Sequence, residues 1–110
     1  MSTITTINER STRKMRIRFF DFDGRPFTPT YFKYSIHDVQ TGATIKPVTE
    51  VVPTGSVCDV IITSADNAII NDNLQSELKC FTLEWYLANT LMGTAELIYR
   101  VNNLKKVPFA

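Results

Sequence analysis

The stretch Leu78–Asn102, L-K-C-F-T-L-E-W-Y-L-A-N-T-L-M-G-T-A-E-L-I-Y-R-V-N, decides the fold class. Phe81, Leu83, Trp85 and Leu87 alternate with Cys80, Thr82, Glu84 and Tyr86. After Ala88-Asn89-Thr90 the alternation resumes, with Ala95, Leu97, Tyr99 and Val101 set against Glu96, Ile98 and Arg100. A period of two marks a strand with one buried face, because successive side chains point to opposite sides of a sheet. Two such runs across a short polar break predict an antiparallel hairpin. The only tryptophan, Trp85, sits mid-strand on the apolar face, where burial of a large ring stabilises most. This hairpin is expected to be the central pair of a β-sandwich.

Working outward, the other strands are shorter. Met15, Ile17 and Phe19 alternate with Arg16, Arg18 and Phe20, giving a strand over 14–20 with a basic outer face. Arginines on such a face keep an edge soluble; they also suit an acidic partner surface. Phe32, Tyr34 and Ile36 form one face of a strand over 31–38, with Tyr31, Lys33, Ser35 and His37 on the other. Short strands are expected over 43–46 and 49–52, separated at Pro47, which cannot donate to a ladder. Val57, Cys58, Val60, Ile61 and Ile62 make the strand over 56–63 nearly continuously apolar, as for a strand covered on much of both faces, so Val57 and Ile61 are candidates to meet a partner. Strands over 78–88 and 92–101 complete about seven, with regular turns and no long helix, the pattern of an all-β sandwich.

Loops and ends are read from turn chemistry. Asp21-Phe22-Asp23-Gly24 has the spacing of half a calcium loop, but Thr30 stands where an EF-hand needs Glu, and a tight Asp-Gly turn explains it better. Ser64 is expected to cap one helical turn that Ile69 or Ile70 anchors on the core, with Asp66 near its positive end. Asp66 and Asp72 are oxygen donors that capping and turn chemistry also account for. Residues 1–13 are polar and read as a flexible arm, either frayed or ordering against a neighbouring subunit. The domain proper runs over 14–102. The tail, 103–110, keeps Leu104, Val107 and Phe109, more apolar residues than a frayed end needs, and is expected to dock on its own domain or on a neighbour.

Composition narrows the function classes. A chain of 110 residues is one domain, long enough to build a core without metal or disulfide staples. A net charge of +1 argues against general nucleic-acid binding, which needs a concentrated basic surface. No apolar run approaches the ~20 residues of a transmembrane helix, and the first residues lack the apolar core of a signal peptide, so a cytoplasmic site of synthesis is expected. The two cysteines fall on opposite strand faces, Cys58 inside and Cys80 outside, which predicts free thiols. The lone His37 has no nucleophile elbow to serve. No catalytic, cofactor-binding or metal residues are assigned, and no enzymatic activity is expected.

The order of features resembles small immunoglobulin-like structural proteins of tailed bacteriophages. The resemblance lies in F-x-D-x-D-G-R-P-x-T-P-T after the first strand, the Y-x-I-H-D-V-Q-T-G-A hairpin, the I-T-S-A-D-N-A-I-I-N-D corner and the closing Y-R-V-x-N-L. It spans roughly residues 14 to 104 and consists of fold-level motifs. It implies an immunoglobulin-like sandwich serving as a virion component assembled in the host cytoplasm: a capsid decoration or cement protein, or alternatively a neck, head–tail joining or tail piece. The implied partners are the major capsid protein or other virion proteins and further copies of this chain, with neither nucleic acid nor membrane. Candidate interface residues are Arg16, Arg18, Phe20, Tyr86, Leu104, Val107 and Phe109. A carbohydrate-binding adhesion module is the competing reading, for which Tyr31, Asp21 and Asp23 are the best residues available.

Overall fold

A computed structural model describes residues 5–8, 11–70 and 76–103. The strands are β1 (Thr5–Asn8), β2 (Arg13–Arg18), β3 (Tyr31–Asp38), β4 (Thr44–Val51), β5 (Val57–Ile62), β6 (Ser76–Leu87) and β7 (Thr90–Asn102). They form a large sheet in the order β1-β7-β6-β3-β4 and a small one of β2 and β5. The expected hairpin is its backbone: β6 and β7 pair antiparallel from Ser76–Asn102 to Leu87–Thr90. Ile17, Val60 and Ile62 of the small sheet, with Phe19 just beyond β2, are buried together with Phe32, Ile36, Phe81, Leu83 and Val101 of the large one, so two apolar faces close as a β-sandwich.

Trp85 meets Phe19 edge-on at 5.9 Å between centroids. Directly across β7 from it stands Gly93. A Cβ there would collide with Cζ2 of Trp85, so the indole occupies the space that a side chain would take. The two-residue turn of this hairpin puts Ala88 at φ 53°, in the left-handed region that favours glycine. Thr30 holds it there: its Oγ1 accepts the Ala88 N–H at 2.7 Å, and its own N–H donates to the Tyr86 carbonyl at 2.8 Å.

Four expectations need correction. Segments 43–46 and 49–52 are one strand, β4, whose register against β3 jumps between Tyr34–Thr49 and Ile36–Lys46. Pro47 lies in that bulge on the sheet's edge strand, where its missing N–H breaks no ladder bond. Within the supposed arm, Thr5–Asn8 pairs in parallel with Tyr99–Asn102. The outer edge of β7 offers backbone groups for pairing, and β-branched Thr5, Thr6 and Ile7 suit a strand, although the mostly polar run around them hid it. The corner at 63–68 is a run of turns whose bonds link residues three apart, such as Asp66 N–H to Thr63 O, and no helix forms. The side chain that closes this corner is Thr63, not Ser64: its hydroxyl donates to Asp66 Oδ2 at 3.0 Å. Ile69, and not Ile70, packs on the core.

Candidate docking groove and flanking faces

The small sheet is narrower than the large one, and that mismatch creates the candidate site. Ala95 and Leu97 lie opposite Leu83 and Phe81, hence on the inner face. Nothing covers them among the described residues, and Leu97 is 40% exposed. Between them and β2 runs an open groove of about 460 Å³, lined by Met15, Ile17 and Phe19 on one wall and Leu83, Ala95 and Leu97 on the other. Phe20 and Trp85 link it to a smaller hollow of about 170 Å³ that Phe22 and Met92 also line. Phe20 is 53% exposed and Phe22 92% exposed, so the groove ends in an apolar lip.

The outer face of β2 and β5 carries charge. Arg16 grips Asp59 with Nε to Oδ1 at 2.9 Å and Nη2 to Oδ2 at 3.2 Å, and Lys14 Nζ lies 3.9 Å from the same carboxylate. The Arg16 hydrogen bond holds the Asp59 carboxyl below its ordinary range and raises the guanidinium above its own. Arg18 lies across from Val57 on this face, and Lys14 from Ile61; both apolar residues are exposed.

The outer face of the large sheet bears a polar aromatic platform. Tyr31 and Tyr86 stack with centroids 4.7 Å apart and planes 16° from parallel. Lys33 Nζ sits 5.4 Å from the Tyr86 centroid and 5.9 Å from that of Tyr31. The Tyr86 hydroxyl donates to Glu84 at 3.0 Å, a bond that raises its pKa, with burial adding to the shift.

Other expected sites divide as follows. Asp21 closes a turn: its Oδ1 accepts the N–H groups of Asp23 and Arg25, each at 2.9 Å, with Gly24 at φ 78°. Among the described residues no group of His, Cys, Asp or Glu could hold a metal ion. Cys58 and Cys80 are free, on opposite faces as parity required. Cys80 is nevertheless buried, flanked by His37 and Ile98 on the neighbouring strands. Arg16, Arg18 and Phe20 line the groove, while Tyr86 belongs to the opposite face of the molecule's large sheet. Leu104, Val107, Phe109 and Asp72 lie outside the described residues.

A buried ionic cluster was not anticipated. Lys79, fully buried, places Nζ 2.8 Å from Glu77 Oε1 and 3.6 Å from Asp38 Oδ1. Glu77 Oε1 also accepts the Ile70 N–H at 2.8 Å. Asp38 Oδ2 accepts the Thr41 hydroxyl at 2.8 Å and its N–H at 2.9 Å. Burial pushes the Asp38 carboxyl up, but the Thr41 bonds and the Lys79 ammonium outweigh it and hold it below its usual value. The cluster fastens the β3–β4 turn and Ile70 onto the start of β6, which makes it a structural clamp. No family model matches the chain, and neither a curated protein nor a solved structure matches it.

Proposed function

We propose that this chain is a non-enzymatic structural module of a tailed-bacteriophage particle, most directly a decoration or cement protein that stabilises the head through contacts between subunits. The single observation that carries the assembly part is the open side of the sandwich, where an apolar groove runs beside β2, whose outer edge no strand of the described residues pairs. Apolar surface of this kind gains by being covered, and the usual occupant is another protein. The phage part rests on the sequence resemblance. The strand order supports the immunoglobulin-like reading, since β2 and β5 face a sheet in which β7, β6, β3 and β4 follow one another. Placement at the neck or tail is a variant of the same proposal.

Quantitative mass spectrometry of purified particles of the encoding phage tests it. Copies comparable to the major capsid protein support decoration or cement, and a handful per particle supports the neck or tail. Absence from particles refutes the virion reading. The Tyr31–Tyr86 platform favours one second reading, a carbohydrate-binding module, because half-buried stacked rings beside a carboxylate give a sugar a surface to stack on and an acceptor to bond. Glycan binding by the isolated domain that is lost in Tyr86→Ala would select it.

A further inference from the structure

We propose that the free edge of β2 receives an extended peptide segment of a partner protein whose alternate residues are apolar and acidic, added as a new outer strand of the small sheet. The proposal rests on the reading of the groove as a docking surface and names the chemistry of its occupant.

The backbone makes the edge. The Phe19 N–H donates to the Ser56 carbonyl at 2.8 Å, continuing the register that pairs Arg13 with Ile62. Residues of an antiparallel pair alternately turn both backbone groups toward the partner strand and away from it. Arg13, Met15 and Ile17 therefore face β5, while Lys14, Arg16 and Arg18 present their N–H and C=O groups to the open side. No strand of the described residues pairs there. The groove supplies the floor: a strand laid beside β2 would direct every second side chain onto Ala95 and Leu97, so those residues should be apolar.

Charge selects the rest of the segment. Its other side chains would stand beside Lys14, Arg16 and Arg18 on the outer face, where Asp59 is the carboxylate they share. Acidic residues complement that row. A second copy's β2 would bring three like charges against it, and the chain's own 104–110 would bring Lys105 and Lys106. Glu96 also lines the groove, but it belongs to the outward set of β7, opposite Thr82, and marks the far rim.

The test uses the full chain and two short blocked peptides, one alternating valine with glutamate and one alternating valine with lysine. Hydrogen exchange and chemical-shift changes are followed residue by residue. The glutamate peptide is expected to slow exchange at the amides of Lys14, Arg16 and Arg18 and to bind roughly tenfold tighter than the lysine peptide, with the margin shrinking as salt rises. Leu97→Glu should abolish binding. Arg18→Glu should shift the preference toward the lysine peptide, a gain that misfolding cannot produce. Equal binding of both peptides, or protection at Leu91–Ile98 instead of β2, overturns the proposal. So does protection of these amides in the free chain that vanishes on deleting 104–110 (its own tail is the strand) or on dilution (a second copy is). A chain that binds the peptide but is absent from particles refutes the virion reading alone; a chain present in particles that ignores the peptide refutes this site alone.

Discussion

Replacing Lys79 with methionine keeps the buried stem and removes only the cation, so the change isolates electrostatics from packing. Lys79 is fully buried, and Asp38 and Glu77 are 1% and 2% exposed. Removing one partner of a buried ion pair costs about 3–5 kcal/mol. Both carboxylates keep hydrogen bonds, from Thr41 and from the Ile70 amide, which places Lys79→Met near the lower end, about 3 kcal/mol at pH 7. The pH dependence has a definite sign. Asp38 is held below its ordinary pKa in the fold, so its contribution is present above about pH 3.9 and is lost as pH falls through the folded value. In the variant, burial acts on Asp38 without the opposing ammonium, its pKa rises, and protonation relieves the unpaired charge. The gap between wild type and variant should therefore narrow toward about pH 4. Urea denaturation at both pH values measures it. A loss below about 1 kcal/mol at pH 7, or a gap unchanged by acid, would refute the reasoning.

Gly93→Ala drives a methyl group into the Trp85 ring, and the rigid indole already packs against Phe19. Overpacking of this kind costs about 1–3 kcal/mol. Combining it with Trp85→Leu should be less than additive in urea midpoint. Ala88→Gly relieves a left-handed alanine and should raise stability by up to about 1 kcal/mol in the same assay. In Tyr99→Phe the buried bond from the Tyr99 hydroxyl to Asn67 Oδ1, 3.1 Å, is lost, and about 1–2 kcal/mol with it. Since Asn67 also donates to the Ser11 carbonyl, amide exchange around residues 11–13 should quicken in that variant.

The β6–β7 hairpin was legible because its alternation is long and its inner face strongly apolar. Parity also placed the cysteines on opposite faces. The ionic clamp was within reach of the same rule: Glu77 and Lys79 share parity with Phe81 and Leu83, and Asp38 shares it with Phe32, Tyr34 and Ile36. Charged residues that continue an inward row signal a buried cluster, but alternation weighted by hydrophobicity stops where the charges begin. β1 was hidden for a related reason, since an edge strand held by backbone bonds to β7 needs no apolar row of its own. The groove had no local signal at all. Ala95 and Leu97 carry the inward pattern of β7, and their exposure follows from how few strands lie across from them. Strand count per sheet is set by pairing between distant segments, and periodicity within one segment does not encode it. Arg16 and Arg18 read correctly as an outer basic face of a strand suited to an edge, but that this edge borders the groove became visible only with the pairing.

The most direct test of the central claim is the copy number of Leu97→Glu in purified particles. The substitution falls on an exposed position, so the fold should survive, which circular dichroism and urea denaturation would verify. The account predicts a stable chain that fails to join particles in which the wild type is present. Incorporation at the wild-type copy number would contradict it.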